Sequence, residues 1–217
     1  MAEPDNPGRE RILARLKNAL LAPAPQPEAG GERRQLFAAV GDPLQRFQQE
    51  CAANHTECLV TADRIASAAA VRDVLASLPP GEIFVEDTAR LRAMASAWQD
   101  GRSIRWSSQG GPRESSQATI TTAEALVAAT GSILVSAACG GRGASVVAPV
   151  HFVVATIGQL ESDLETVFAE QRERGTLAKN SYVCLITGSS RTADIEKILV
   201  LGAHGPRRVV VVLSLEE

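Results

Sequence analysis

The sequence predicts an α/β protein: a mainly parallel sheet covered by helices, with an N-terminal amphipathic helix on a proline-rich linker. Two observations carry this. Strand-like runs alternate with helical stretches along most of the 217 residues. Two of those runs, 183–187 (VCLIT) and Val209–Leu213 (VVVVL), are apolar on both faces, as strands buried between layers must be. Only 4% of residues are aromatic although 45% are apolar, so small side chains should fill the space between sheet and helices.

The elements are expected in the following order. Residues Arg9–Leu21 place Ile12, Leu13, Leu16, Leu20 and Leu21 on one helical face and stop at the prolines Pro23, Pro25 and Pro27. A helix of this length is marginal alone, so its stripe should rest on the main domain, the simpler expectation, or on another chain. This appendage takes in residues 1–34, and one α/β domain runs from residue 35 to 217. Strands are expected at 57–61, 82–86, 102–106, 132–136, 151–156, 182–187 and 208–213. Helices are expected at 43–53, 63–77, 88–99, 122–128, 159–172 and 192–201. Residues Ser107–Ser116 (SSQGGPRESS) read as an irregular loop with little to bury.

Composition narrows the function. With 22 basic against 25 acidic side chains, the net charge of −3 gives no field for a polyanion, and few aromatics are available to stack bases. Nothing reads as a signal peptide or a membrane span, so the expected location is the cytoplasm. Cys51, Cys58, Cys139 and Cys184 form no CxxC pair, and His55, His151 and His204 stand far apart. A zinc site, an iron–sulfur cluster or a disulfide framework built by this chain alone is therefore not expected.

Ligands of open parallel sheets gather beyond strand ends, so the turns carry the candidate chemistry. The first is Thr130-Gly131-Ser132, two hydroxyls about a glycine whose bland alternative is a helix C-cap. The second is Cys139–Ser145 (CGGRGAS), where backbone N–H groups and the Arg142 guanidinium could grip a carboxylate or phosphate. Cys139 has no neighbouring histidine to activate it and reads as idle. The third is Thr187-Gly188-Ser189-Ser190-Arg191-Thr192, opening an expected helix whose first turn holds Asp194 and Glu196. That turn suits an anion, although the two acids already satisfy the helix dipole and Arg191 could hold them instead. His204, between Gly202 and Gly205, is either a proton carrier or a backbone organiser, and His151 reads as structural. Neither GxxxxGK[ST] nor GxGxxG occurs.

The stretches ITGSSRTADIE at 186–196 and LGAHGP at 201–206, followed by the terminal Val-rich strand, resemble the C-terminal signature of the lactate utilization protein C (LutC/YkgG) family and its LUD domain. Thr130-Gly131-Ser132, Arg142–Ser145 and Pro149-Val150-His151 resemble the same family's middle segment. The family usually carries a glutamate immediately before the Thr-Gly pair, and Ala129 stands there in this chain. The resemblance implies a fold like that of ribose-5-phosphate isomerase, glucosamine-6-phosphate deaminase and the CoA transferases. It also implies a part in oxidising L-lactate to pyruvate beside partner proteins that carry the iron–sulfur clusters, with no cofactor on this chain. In that reading a small carboxylate binds among Thr130–Ser132, Arg142, Ser145, Thr187–Thr192, Asp194 and His204, with Arg142 and Arg191 as clamps. The alternative is a free-standing enzyme or ligand-binding module for a sugar phosphate, CoA thioester or folate-like ligand.

Overall fold

The computed structural model describes residues 7–20, 39–98, 101–193, 199–201 and 205–216, side chains excepted at 19–20, 191–193 and 199–201. Its contacts divide the chain into Met1–Leu36 and Phe37–Glu217. The first unit contains α1, Pro7–Leu20, which carries the apolar stripe. The proline linker lies outside the described residues.

In the second unit, the helices begin where a short polar side chain can accept from a free backbone N–H. Asp42 receives Gln45 N at 3.1 Å and Pro43 opens α2 (Pro43–Ala53). Asp63 caps α3 (Arg64–Ala76) at 2.8 Å, Thr88 caps α4 (Ala89–Ala95) at 3.2 Å and Asp163 caps α5 (Leu164–Glu173) at 2.8 Å. A single further turn, α6, spans Thr176–Lys179.

Six strands form one parallel sheet: β1 (Thr56–Thr61), β2 (Glu82–Val85), β3 (Ser103–Trp106), β4 (Ala118–Thr121), β7 (Val150–Thr156) and β12 (Arg208–Ser214). Their order is β1-β12-β7-β4-β2-β3, and every pairing is parallel. One face is covered by α3 and α4, whose Val71, Leu75, Leu91 and Met94 pack with Ile83, Ile120, Phe152 and Val212. The other face receives α2 through Phe47 and Cys51, together with Leu126, Ile133 and Val135 of a second sheet. That second sheet has the order β8-β5-β6-β9, from β5 (Ala125–Val127), β6 (Ser132–Ser136), β8 (Leu160–Glu161) and β9 (Val183–Ile186).

Four expectations are corrected. Residues 122–128 form no helix: Ala125–Val127 is a fully buried strand paired antiparallel to β6 and parallel to β8. Short apolar runs do not declare their period, and burial in a second sheet decided this one. The helix expected at 159–172 begins only at Leu164, after Asp163, because residues 160–161 pair with β5. The VCLIT strand lies antiparallel at the edge of the small sheet, so being apolar on both faces did not make it a parallel strand. The helix expected over 192–201 is replaced by β10 (Arg191–Ala193) paired antiparallel with β11 (Leu199–Leu201). Thr192 and Val200 are register partners there. Strand β4 carried no sequence signal beyond ATIT.

The small sheet is held against α2 by glycine. Gly131 has φ +63°, and a Cβ on it would lie 2.8 Å from Cys51 N and from the Glu50 carbonyl carbon. Gly131→Ala should therefore lower stability by roughly 1–3 kcal/mol or more, from strain and overpacking together. Urea denaturation at unchanged m-value is the measurement.

Candidate functional site

The sheet order itself locates a crevice. From β2 the chain passes to α4 on one face; from the adjacent β4 it passes to β5 and the small sheet on the other. Neighbouring strands whose exits diverge in this way leave a gap beyond their carboxyl ends, where ligands of open α/β sheets bind.

Glu86 and Asp87 leave β2 into this gap, and Thr122 to Glu124 leave β4. Glu86 is 6% exposed, and its Oε2 accepts from Thr122 N at 2.6 Å and from Thr122 Oγ1 at 2.8 Å. Burial raises its proton affinity above that of an ordinary carboxyl; the Thr122 donors oppose this and the Glu124 charge adds to it. Asp87 behaves oppositely. Hydrogen bonds from Arg92 and Ser108 hold it below the usual carboxylate range, and the Arg92 guanidinium lies 4.5 Å from the centre of the Trp106 ring. Two consecutive acids thus have their proton affinities driven apart, the pattern by which a proton-carrying group is distinguished from a fixed charge.

The glycine turn closes over the same gap. Gly140 takes φ +82°, and a Cβ there would approach Phe84 Cε1 and Ala144 Cβ at 3.3 Å and Glu86 Cβ at 3.5 Å. Ser136 Oγ donates to Glu124 Oε1 at 2.5 Å, and Cys139 Sγ lies 3.8 Å from the same oxygen. Burial, with Glu86 and Glu124 adding to it, pushes the Cys139 thiol up to about 12. At neutral pH it is a thiol and a poor nucleophile. Arg142 is exposed and donates to Ser181 O at 3.2 Å, while buried Ser145 shares a 3.4 Å contact with Tyr182 OH.

The other two turns lie elsewhere. Thr130, Ser132 and Thr187 link their hydroxyls in a chain of two 2.7 Å hydrogen bonds. Gly188, at φ +90°, approaches Asn54 so closely that a Cβ would collide with its carbonyl oxygen, and Asn54 Nδ2 donates to Thr130 O at 3.0 Å. Ser190 N donates to Pro206 O at 2.9 Å. Asn54 precedes β1 and Pro206 precedes β12, so this cluster sits at the amino end of the parallel sheet. It is separated from the Arg142 turn by the length of β6, roughly 13 Å at ~3.3 Å per residue. The single cleft expected from all three turns is thereby divided in two. Gly131 closes the β5–β6 hairpin rather than capping a helix.

Arg191 and Thr192 are in β10 with their side chains outside the described residues, and Ser189 lies in the turn before that strand. Asp194, Glu196 and His204 lie outside the described residues altogether. His151 is fully buried, its Nε2 2.9 Å from Thr121 Oγ1, and desolvation lowers its pKa to about 4, so it stays neutral as a structural side chain. Among the described residues no group of three or more His, Cys, Asp or Glu side chains is arranged to hold a metal, and no helix is long and apolar enough to cross a membrane. Sequence reading missed Glu86 and Glu124. The available signal was an acid directly after one strand, in IFV-Glu86, and another three residues beyond a second, in TIT-TA-Glu124.

Two outcomes follow. A raised folded-state pKa means that Glu86 favours the fold below its unfolded value, near 4.5, and that this contribution is lost as pH rises through the folded value. Denaturation of the wild type should show that loss above pH 4.5, and Glu86→Gln should flatten it. Second, Cys139 should resist iodoacetamide at pH 8 in the folded protein and react once urea unfolds it.

Residues 113–214 match the family model for the LUD domain. The chain is 25% identical to lactate utilization protein C of a Geobacillus species over 187 residues, 78% of this chain and 77% of that one. It is 33% identical over 97 residues to an uncharacterized protein of Neisseria meningitidis serogroup B, covering 44% of this chain and 41% of that protein. A crystal structure of a DUF162 family protein from Deinococcus radiodurans superposes with a TM-score of 0.59 at 16% identity, over 79% of this chain and 96% of that one, a likeness of fold. On these matches residues 113–214 resemble the LUD domain, and the chain is similar over most of its length to lactate utilization protein C.

Proposed function

We propose that this chain is a component of a lactate-utilization system, itself without a redox centre, acting beside iron–sulfur proteins as lactate is oxidised to pyruvate. The observation that carries this reading is the 25% identity to lactate utilization protein C, sustained over 78% of the chain. The cysteines are distributed in keeping with it. Cys51 on α2 and Cys58 on β1 hydrogen-bond one another, while among the described residues no three cysteine, histidine or acidic side chains converge as a cluster usually requires.

In this proposal the crevice between the carboxyl ends of β2 and β4 receives the small carboxylate. Converting lactate to pyruvate removes two electrons and two protons; the partners' clusters would supply the electron acceptor, and of the protons one would pass to the Glu86 carboxylate and the other to water. Glu86, with its raised proton affinity, exchanges a proton with the ligand in the crevice. Arg142 supplies the planar pair of donors that a carboxylate needs, exchanging the Ser181 carbonyl for the ligand. Asp87 remains charged and fixes Arg92.

The test is growth on L-lactate as sole carbon source. A strain lacking this chain should fail, the wild-type gene should restore growth, and Glu86→Gln should restore it poorly although the variant protein accumulates to wild-type level. Normal growth on lactate without the chain would contradict the proposal. Arg142→Lys keeps the charge without the fork, and it should weaken L-lactate binding about tenfold or more in calorimetry.

A further inference from the structure

On the helical face of the parallel sheet, at its carboxyl end, a depression of about 570 Å³ is lined by Asp63, Arg64, Ile65, Ala89, Arg90 and Glu216. Its walls are fixed by the fold. Arg64 is the first residue of α3 and Arg90 the second of α4, and both helices are anchored in the same apolar cluster through Val71, Leu75, Leu91 and Met94. The two arginines are therefore held close enough for their charges to repel.

The local acids leave that repulsion largely uncompensated. The Asp63 carboxylate is engaged in capping α3, accepting from Ala66 N at 2.8 Å. Glu216 accepts from the backbone N–H of Arg64 at 3.3 Å, not from its guanidinium. Among the described residues neither guanidinium has a carboxylate within 4.0 Å, in contrast to the paired Arg46, Arg92, Arg113, Arg174 and Arg208. Arg90 Nε is buried and donates to nothing described. Burial first, and Arg64 next, lower the proton affinity of Arg90, with Glu216 opposing them. A half-buried cation facing a second cation, with a donor left over, is a site shaped for an anion that the chain does not itself supply.

The geometry points to an oxyanion site here, separate from the β2–β4 crevice, that takes the phosphate group of a small organic molecule. Two guanidinium forks bearing on one group favour a dianion with three oxygens over a single carboxylate, whose two oxygens one arginine already satisfies. The volume lies within the range of small-molecule pockets. Ile65, 78% exposed on the lining, offers an apolar surface to the organic part.

Inorganic phosphate titrated into the full chain, followed by calorimetry, is the test. Saturable binding at millimolar phosphate or below is expected, weakened about tenfold or more by Arg90→Ala and by Arg64→Ala. Arg72→Ala, which removes an exposed guanidinium already paired with Asp73 at 2.9 Å, should leave it unchanged. Because removing Arg90 relieves repulsion, Arg90→Ala should melt no lower than wild type, which separates lost binding from lost folding. Undetectable phosphate binding, or equal affinity in wild type and Arg90→Ala, would overturn the site. Tighter binding of L-lactate than of phosphate, abolished by Arg90→Ala, would overturn the phosphate assignment and make this a carboxylate site.

Discussion

A connection between parallel strands packs back onto its sheet in essentially one hand, and much of this molecule follows from that constraint. In the order β1-β12-β7-β4-β2-β3, the chain first moves toward the β3 edge and then returns through β4, β7 and β12. Connections of one hand that run in opposite directions must lie on opposite faces. The outward helices α3 and α4 accordingly share one apolar cluster, and the small sheet, inserted on the return, shares the other with α2. The divergence of exits at β2 and β4 is the unavoidable consequence, and it leaves a crevice that needs no motif to specify it.

What the crevice can do depends on how the chain treats the acids it delivers there. Glu86 is buried with Thr122 as its partner, whereas Asp87, one residue later, is tied to Arg92 and Ser108. The peptide between them crosses from a dry environment to one rich in compensating charge, so adjacent carboxyls differ in their readiness to hold a proton. The glycine turn sharpens the contrast. Gly140 comes so near Phe84 and Ala144 that a side chain there would crowd both, and it packs beside Glu86. The same burial silences Cys139, so the residue that most resembles a nucleophile in the sequence is chemically quiet in the fold.

The parallel sheet was legible because its strands are apolar runs between helices with Asp or Thr caps, and Asp42, Asp63 and Thr88 mark their helices in the sequence as clearly as in the structure. The small sheet was not, since Ala125–Val127 is three residues long and Leu160–Glu161 two, too short to declare a period. Without that sheet the glycine turn and the Thr130 and Gly188 turns appear to converge, although β6 holds them at opposite ends. Arg142 and Ser145 could be picked out from their glycine context. Glu86 and Glu124 carried only a faint signal, an acid shortly after a strand; what singles out Glu86 is its burial beside the Glu124 charge, and that arises only when β2 and β4 are neighbours.

Glu86, its proton affinity raised by burial, faces the crevice proposed to receive a small carboxylate. The direct measurement is a pH titration of the Glu86 side-chain carboxyl carbon by ¹³C NMR, with and without L-lactate. The account predicts a midpoint above that of ordinary carboxylates, a further shift on adding lactate, and loss of that lactate effect in Arg142→Ala. An ordinary midpoint, indifferent to lactate, would contradict it.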